Sequence, residues 1–96
     1  MNLKNVHSAE KIVSAVPIFK TEIGSTIAIR IKEGQQLKEH ITKVPTLLVC
    51  LDGKAVYENE KGVKEHLSKG DYIEIEPMVK HWLDAIDESN FLLIKS

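Results

Sequence analysis

Only one cysteine stands in this 96-residue chain, Cys50, so no disulfide can close within it. A lone thiol fits a reducing compartment, and the cytoplasm is the expected location. A dominant charge of one sign is also missing. Thirteen Lys and Arg stand against 14 Asp and Glu, for a formal net charge of -1. That balance offers no field for nucleic acid or an anionic membrane, so neither is expected as a partner. Long apolar runs are absent too. The longest, Leu47 to Leu51, falls far short of the roughly 20 residues of a membrane span. The first residues carry Lys4, Glu10 and Lys11 and no apolar segment of signal-peptide length, so neither export nor anchoring is expected. No phosphate-cradling glycine loop, nucleophile elbow or zinc ribbon is found. A chain this short holds one domain, residues 1–96, with a modest core.

What is present is alternation. Ser8 is placed to cap a short helical turn from Ala9 to Ser14, ended by Pro17, so residues 1–16 read as a lead-in and the barrel begins near residue 17. His7, in that polar lead-in, reads as a solvated surface histidine. From Ile18 the period becomes two. Ile27, Ile29 and Ile31 alternate with Ala28, Arg30 and Lys32 after a Gly24-Ser25 turn, and Glu33-Gly34 turns the chain again. Val56 and Tyr57 lie in a strand that a polar loop, Asn59 to Gly62, returns as VKEHL, where parity turns His66 to water. Ile73 and Ile75 alternate with Tyr72, Glu74 and Glu76, and Pro77 interrupts the ladder. FLLIK, with no polar alternation before Lys95, reads as a buried strand. Eight or so short strands and no convincing amphipathic helix predict an all-β antiparallel barrel or sandwich. Periodicity alone leaves an immunoglobulin-like sandwich open.

Two stretches narrow the choice. Gly34 to Gly53 reads GQQLKEHITKVPTLLVCLDG, one histidine between two glycine turns, and Gly70 to His81 reads GDYIEIEPMVKH, a glycine turn, a strand, a proline and one histidine. In their spacing they resemble the two signature motifs of the cupin superfamily, and LKEH, GDYIEIEP and FLLIKS resemble small single-domain bacterial cupins. Gly34, His40 and Gly53 occupy matching places in the first motif, with Thr42 where a second histidine and Thr46 where a glutamate would stand. In the second, Gly70 and His81 match, Pro77 is displaced by one, Met78 replaces a glycine and Ala85 an asparagine. The resemblance implies a double-stranded β-helix, an antiparallel jelly-roll barrel, with both motifs bringing side chains to one interior site.

The full motif works because residues i and i+2 of a strand share a face, so two imidazoles, a carboxylate and a third imidazole converge on a divalent metal. Here His40 and His81 remain, beside the neutral hydroxyls of Thr42 and Thr46. The predicted ligand-binding set is therefore His40, Thr42, Thr46, Met78 and His81, with Met78 a lip over the mouth and no catalytic residue assigned. Either His40 and His81 are pocket histidines satisfied by hydrogen bonds, or they hold a divalent transition metal, Zn, Fe, Ni or Mn, weakly. Cys50 reads as a buried hydrophobe or as a soft ligand deeper in the barrel. The preferred function is a barrel that binds a small molecule, and the alternative is a small metal-dependent enzyme of isomerase, decarboxylase or dioxygenase type. The resemblance also implies a homodimer. Trp82, sent outward by the parity that sends His81 inward, is its expected anchor.

Overall fold

Apolar and polar residues that alternate along the chain become two sheets with one shared interior. The computed structural model describes residues 1–96, which form β1 (Val13–Lys20), β2 (Ser25–Ile31), β3 (Gln36–His40), β4 (Thr46–Asp52), β5 (Lys54–Asn59), β6 (Lys64–Ser68), β7 (Tyr72–Ile75), β8 (His81–Ala85) and β9 (Ser89–Lys95). The only helical element is a single 3-10 turn, Leu3–Asn5. One sheet has five strands in the order β1-β2-β9-β4-β7, the other four in the order β3-β8-β5-β6. Every pairing is antiparallel, and the chain crosses between the sheets as it winds, which is the jelly-roll barrel expected.

Inward parity decides the core. Ile29, Ile31, Leu48, Cys50, Phe91 and Leu93 from the five-stranded sheet close against Ala55, Tyr57, Leu67, Leu83 and Ala85 from the other. At the β4–β5 turn Gly53 adopts φ +88°, and a Cβ there would lie 2.4 Å from the Glu88 carbonyl oxygen, so only glycine fits. His66 lies exposed on β6, as its parity predicts.

The N-terminal segment departs from expectation. No helical turn forms over Ala9–Ser14: the Ser8 hydroxyl accepts the Glu10 N–H at 3.4 Å in a turn, and the chain is extended from Val13 onward. The first strand thus starts at Val13, not near residue 17. Pro17 ends no helix. It sits within β1, an edge strand where a missing N–H need break no ladder bond, and a bulge follows between Pro17 and Phe19. Competition from the sheet wins over the weak local cap, because β1 pairs with β2 along its length.

His7 is half-buried rather than solvated. Its Nδ1 lies 2.7 Å from the Ser14 hydroxyl, and burial, with the Arg30 guanidinium second, lowers its pKa. Arg30 donates to the carbonyls of Ser8 and Lys11 at 2.8 and 2.6 Å, and Lys32 donates to that of Ala9. These bonds strap residues 7–11 to the outer face of the five-stranded sheet.

Candidate functional site

Strand register brings the two histidines together. On the inner face of the four-stranded sheet His40 of β3 stands directly opposite His81 of β8, and Asn59 of β5 stands opposite His81 on its other side. The imidazole centroids of His40 and His81 are 4.1 Å apart, edge to face at 60°. Tyr57, one row deeper, stacks on His81 at 5.8 Å and 26°. His81 is 1% exposed, whereas His40 is only half-buried.

Each ring is oriented by its own strand. Nδ1 of His40 lies 3.1 Å from the Lys38 carbonyl, and Nδ1 of His81 lies 3.4 Å from that of Val79. A carbonyl can only accept, so Nδ1 carries the proton in both rings and each Nε2 keeps a lone pair when neutral. Neither Nε2 makes a hydrogen bond within the chain. Burial, and next the neighbouring His40, push the His81 pKa down to about 4, with Lys95 lowering it further against the opposing Val79 carbonyl. His81 is therefore neutral at physiological pH.

From the facing sheet, the row Ser25, Lys95, Thr46 and Ile75 closes this end of the barrel. The Thr46 hydroxyl donates to the Val44 carbonyl at 2.9 Å. Thr42, two residues beyond His40, is 2% exposed, and its hydroxyl has no partner. Its carbonyl accepts the Met78 N–H at 2.8 Å, which ties the two motif stretches together at the rim. Met78 is exposed and held at φ +66°, a left-handed conformation that a glycine would adopt without strain. His40, Thr42, Thr46, Met78 and His81 thus lie toward one end of the fold, with the Met78 side chain exposed.

Cys50 does not join them. It lies four residues along β4 from Thr46, about 13 Å at strand rise, fully buried opposite Phe91. Its thiol donates to the Asp52 carbonyl at 3.4 Å, and burial, with Asp52 and Asp71 behind it, pushes its pKa up to about 11. A protonated thiol inside the core is the hydrophobe of the two readings, not the soft ligand.

The donor set falls short of a resident dication. No group of three His, Cys, Asp or Glu side chains gathers anywhere in the chain. Imidazole ligands bring no negative charge to compensate a dication, and the Lys95 ammonium close enough to lower the His81 pKa opposes a cation. A surface hollow of about 570 Å³ opens beside Thr46 and Pro77 and is not lined by either histidine. Tyr57, Asn59 and Lys95 are the residues that sequence reasoning missed. Inward parity in β5 could have flagged the first two, but only the register sets them beside His81.

Solved structures share this architecture. A cupin superfamily protein from Desulfitobacterium hafniense superimposes with a TM-score of 0.85 at 17% identity, covering 97% of this chain and 84% of its own. A cupin-like protein from Thermotoga maritima gives 0.79 at 24% identity over 88% of this chain and 68% of that one. KdgF from Halomonas sp. gives 0.82 at 18% identity over 98% and 87%. No family model matches the sequence, and no curated protein matches it. The chain has the cupin fold, a double-stranded β-helix, as its two motif stretches implied. No helix of the protein is long and apolar enough to cross a membrane.

Proposed function

We propose that this protein is a small-molecule-binding module whose ligand site is the end of the barrel that holds His40, Thr42 and His81. The observation that carries this reading is the Thr42 hydroxyl, buried with no partner. An unpaired buried hydroxyl costs about 1–3 kcal/mol, which a bound polar group recovers by pairing with it. The Nε2 lone pairs of His40 and His81 accept from a ligand hydroxyl, amide or ammonium, while Thr46 walls the site and Met78 forms its lip. A small polar molecule that donates hydrogen bonds is the class that fits. A single unpaired cysteine suits a reducing compartment, and the cytoplasm is the location proposed with this reading.

A second reading rests on the same Nε2 atoms. His40 and His81 would hold Zn, Fe, Ni or Mn weakly, with water or substrate completing the shell, in a small enzyme of isomerase, decarboxylase or dioxygenase type. The missing third ligand places it second.

Native mass spectrometry of the untagged protein tests the choice. The expected result is a retained small organic mass that His40→Ala and Thr42→Val each diminish. A wild type carrying stoichiometric zinc or iron and no organic mass would overturn the reading.

A further inference from the structure

Outside the barrel, at the end away from the histidines, one row of the five-stranded sheet runs Ser14, Arg30, Asn90 and Asp52 across β1, β2, β9 and β4. Neighbouring strands lie ~4.8 Å apart, so the backbones of Arg30 and Asp52 stand about 10 Å apart with Asn90 between them. The turn from β8 to β9 adds Glu88, because Gly53, free of a Cβ, lets the β4–β5 turn close on the Glu88 carbonyl. The segment before β1 adds Lys4 from its 3-10 turn. These residues line a hollow of about 340 Å³ with no apolar side chain in it, within the size range of small-molecule pockets.

The polar groups of this hollow are incompletely paired. Arg30 donates through Nη2 to the carbonyls of Ser8 and Lys11, but its Nε is buried with no partner and its Nη1 makes no bond in the chain. The Asn90 amide donates to Asp52 at 2.9 Å, which leaves its own side-chain oxygen and the second Asp52 oxygen as open acceptors. None of Lys4, Arg30, Asp52 and Glu88 takes part in the two ion pairs of the chain, Lys61–Glu76 and Lys80–Glu39. Opposite charges that line one space without pairing suit a guest that carries both signs, an anion for Arg30 and Lys4 and an ammonium for Asp52, Glu88 and the Asn90 oxygen. A second hollow shares Lys4, Asp52 and Asn90 and continues past them to Met1, Leu3 and Leu51. An apolar side chain of the same guest would leave water there.

We propose that this hollow binds a free α-amino acid with an apolar side chain, its carboxylate on Arg30 and Lys4 and its ammonium on Asp52, Glu88 and the Asn90 side-chain oxygen. The site is separate from the one around His40, Thr42 and His81 and does not rest on that reading. Lys4 belongs to the segment before β1 and the other groups to the barrel, so the bound amino acid fastens that segment further. It adds to the bonds that Arg30 and Lys32 already make to the Ser8, Lys11 and Ala9 carbonyls.

Calorimetric titration of the untagged full chain with L-leucine tests this, beside N-acetyl-L-leucine, which lacks the ammonium, and L-leucinamide, which lacks the carboxylate. L-Leucine should bind one to one at about 1 mM or tighter and slow amide hydrogen exchange before β1, while each control should bind at least about tenfold more weakly. Asp52→Asn, which keeps an acceptor for Asn90, and Lys4→Gln should each weaken L-leucine binding about tenfold or more, with circular dichroism to confirm the fold. His40→Ala should leave binding unchanged. No binding at about 10 mM L-leucine, a control that binds as well as L-leucine, or binding lost in His40→Ala and kept in Asp52→Asn would overturn the proposal.

Discussion

At one end of the barrel interior, around Cys50, Phe91 and Ala55, buried polar groups are paired: the Ser89 hydroxyl shares its one proton between the Asp87 and Lys54 carbonyls, 2.8 and 3.1 Å away, and the Cys50 thiol donates to the Asp52 carbonyl. At the other end the Thr42 hydroxyl is buried and unpaired, and two imidazole Nε2 atoms make no bond. Both ends are made from the same strands, β4, β5, β8 and β9, read at different rows. The difference teaches where this small fold spends its stability. The Cys50 end holds the sheets together, and the histidine end carries polar atoms left over for something outside the chain.

Truncation separates the two ends most sharply. Phe91→Ala removes a fully buried ring at the Cys50 end and should cost about 3–5 kcal/mol in denaturant unfolding. Thr42→Val, at the other end, removes only an unpaired hydroxyl and should leave stability unchanged or raise it by about 1 kcal/mol. If Thr42→Val destabilised the fold as Phe91→Ala does, the hydroxyl would have a structural partner and the contrast would fail.

Titration gives a smaller, reversible effect. The folded His81 pKa, about 4, lies below the ordinary 6.5. The unfolded chain therefore binds the extra proton between those values. Stability should be fully present above pH about 6.5, fall as pH drops toward about 4, and level off below it. Unfolding free energies across that window should show a slope that His81→Gln flattens. An equal slope in the variant would assign the proton uptake to another group.

The strands and the inward turn of His40 and His81 were legible in the sequence, because glycine turns and a period of two mark faces directly. Register is not a local property. That Asn59 flanks His81, that Tyr57 stacks on it and that Lys95 faces it depend on which strands become neighbours across the sandwich. The N-terminal segment misled for the same reason. Ser8 and the residues after it have the chemistry of a weak helix cap, but pairing with β2 and the Arg30 bonds to the Ser8 and Lys11 carbonyls decide the outcome. FLLIK reads in sequence as a strand buried on both faces, yet on the outer face of β9 Leu92 is only half-buried and Ile94 is exposed.

The central claim is that the histidine end offers hydrogen-bonding groups and lacks the negative charge and third ligand a dication needs. Calorimetric titration of the wild type and of Thr42→His/Thr46→Glu with Zn²⁺ and Ni²⁺ tests it most directly. The wild type should bind weakly, and the double variant, which adds one imidazole and one carboxylate, should bind at least about a hundredfold more tightly. Tight one-to-one binding by the wild type would contradict the account.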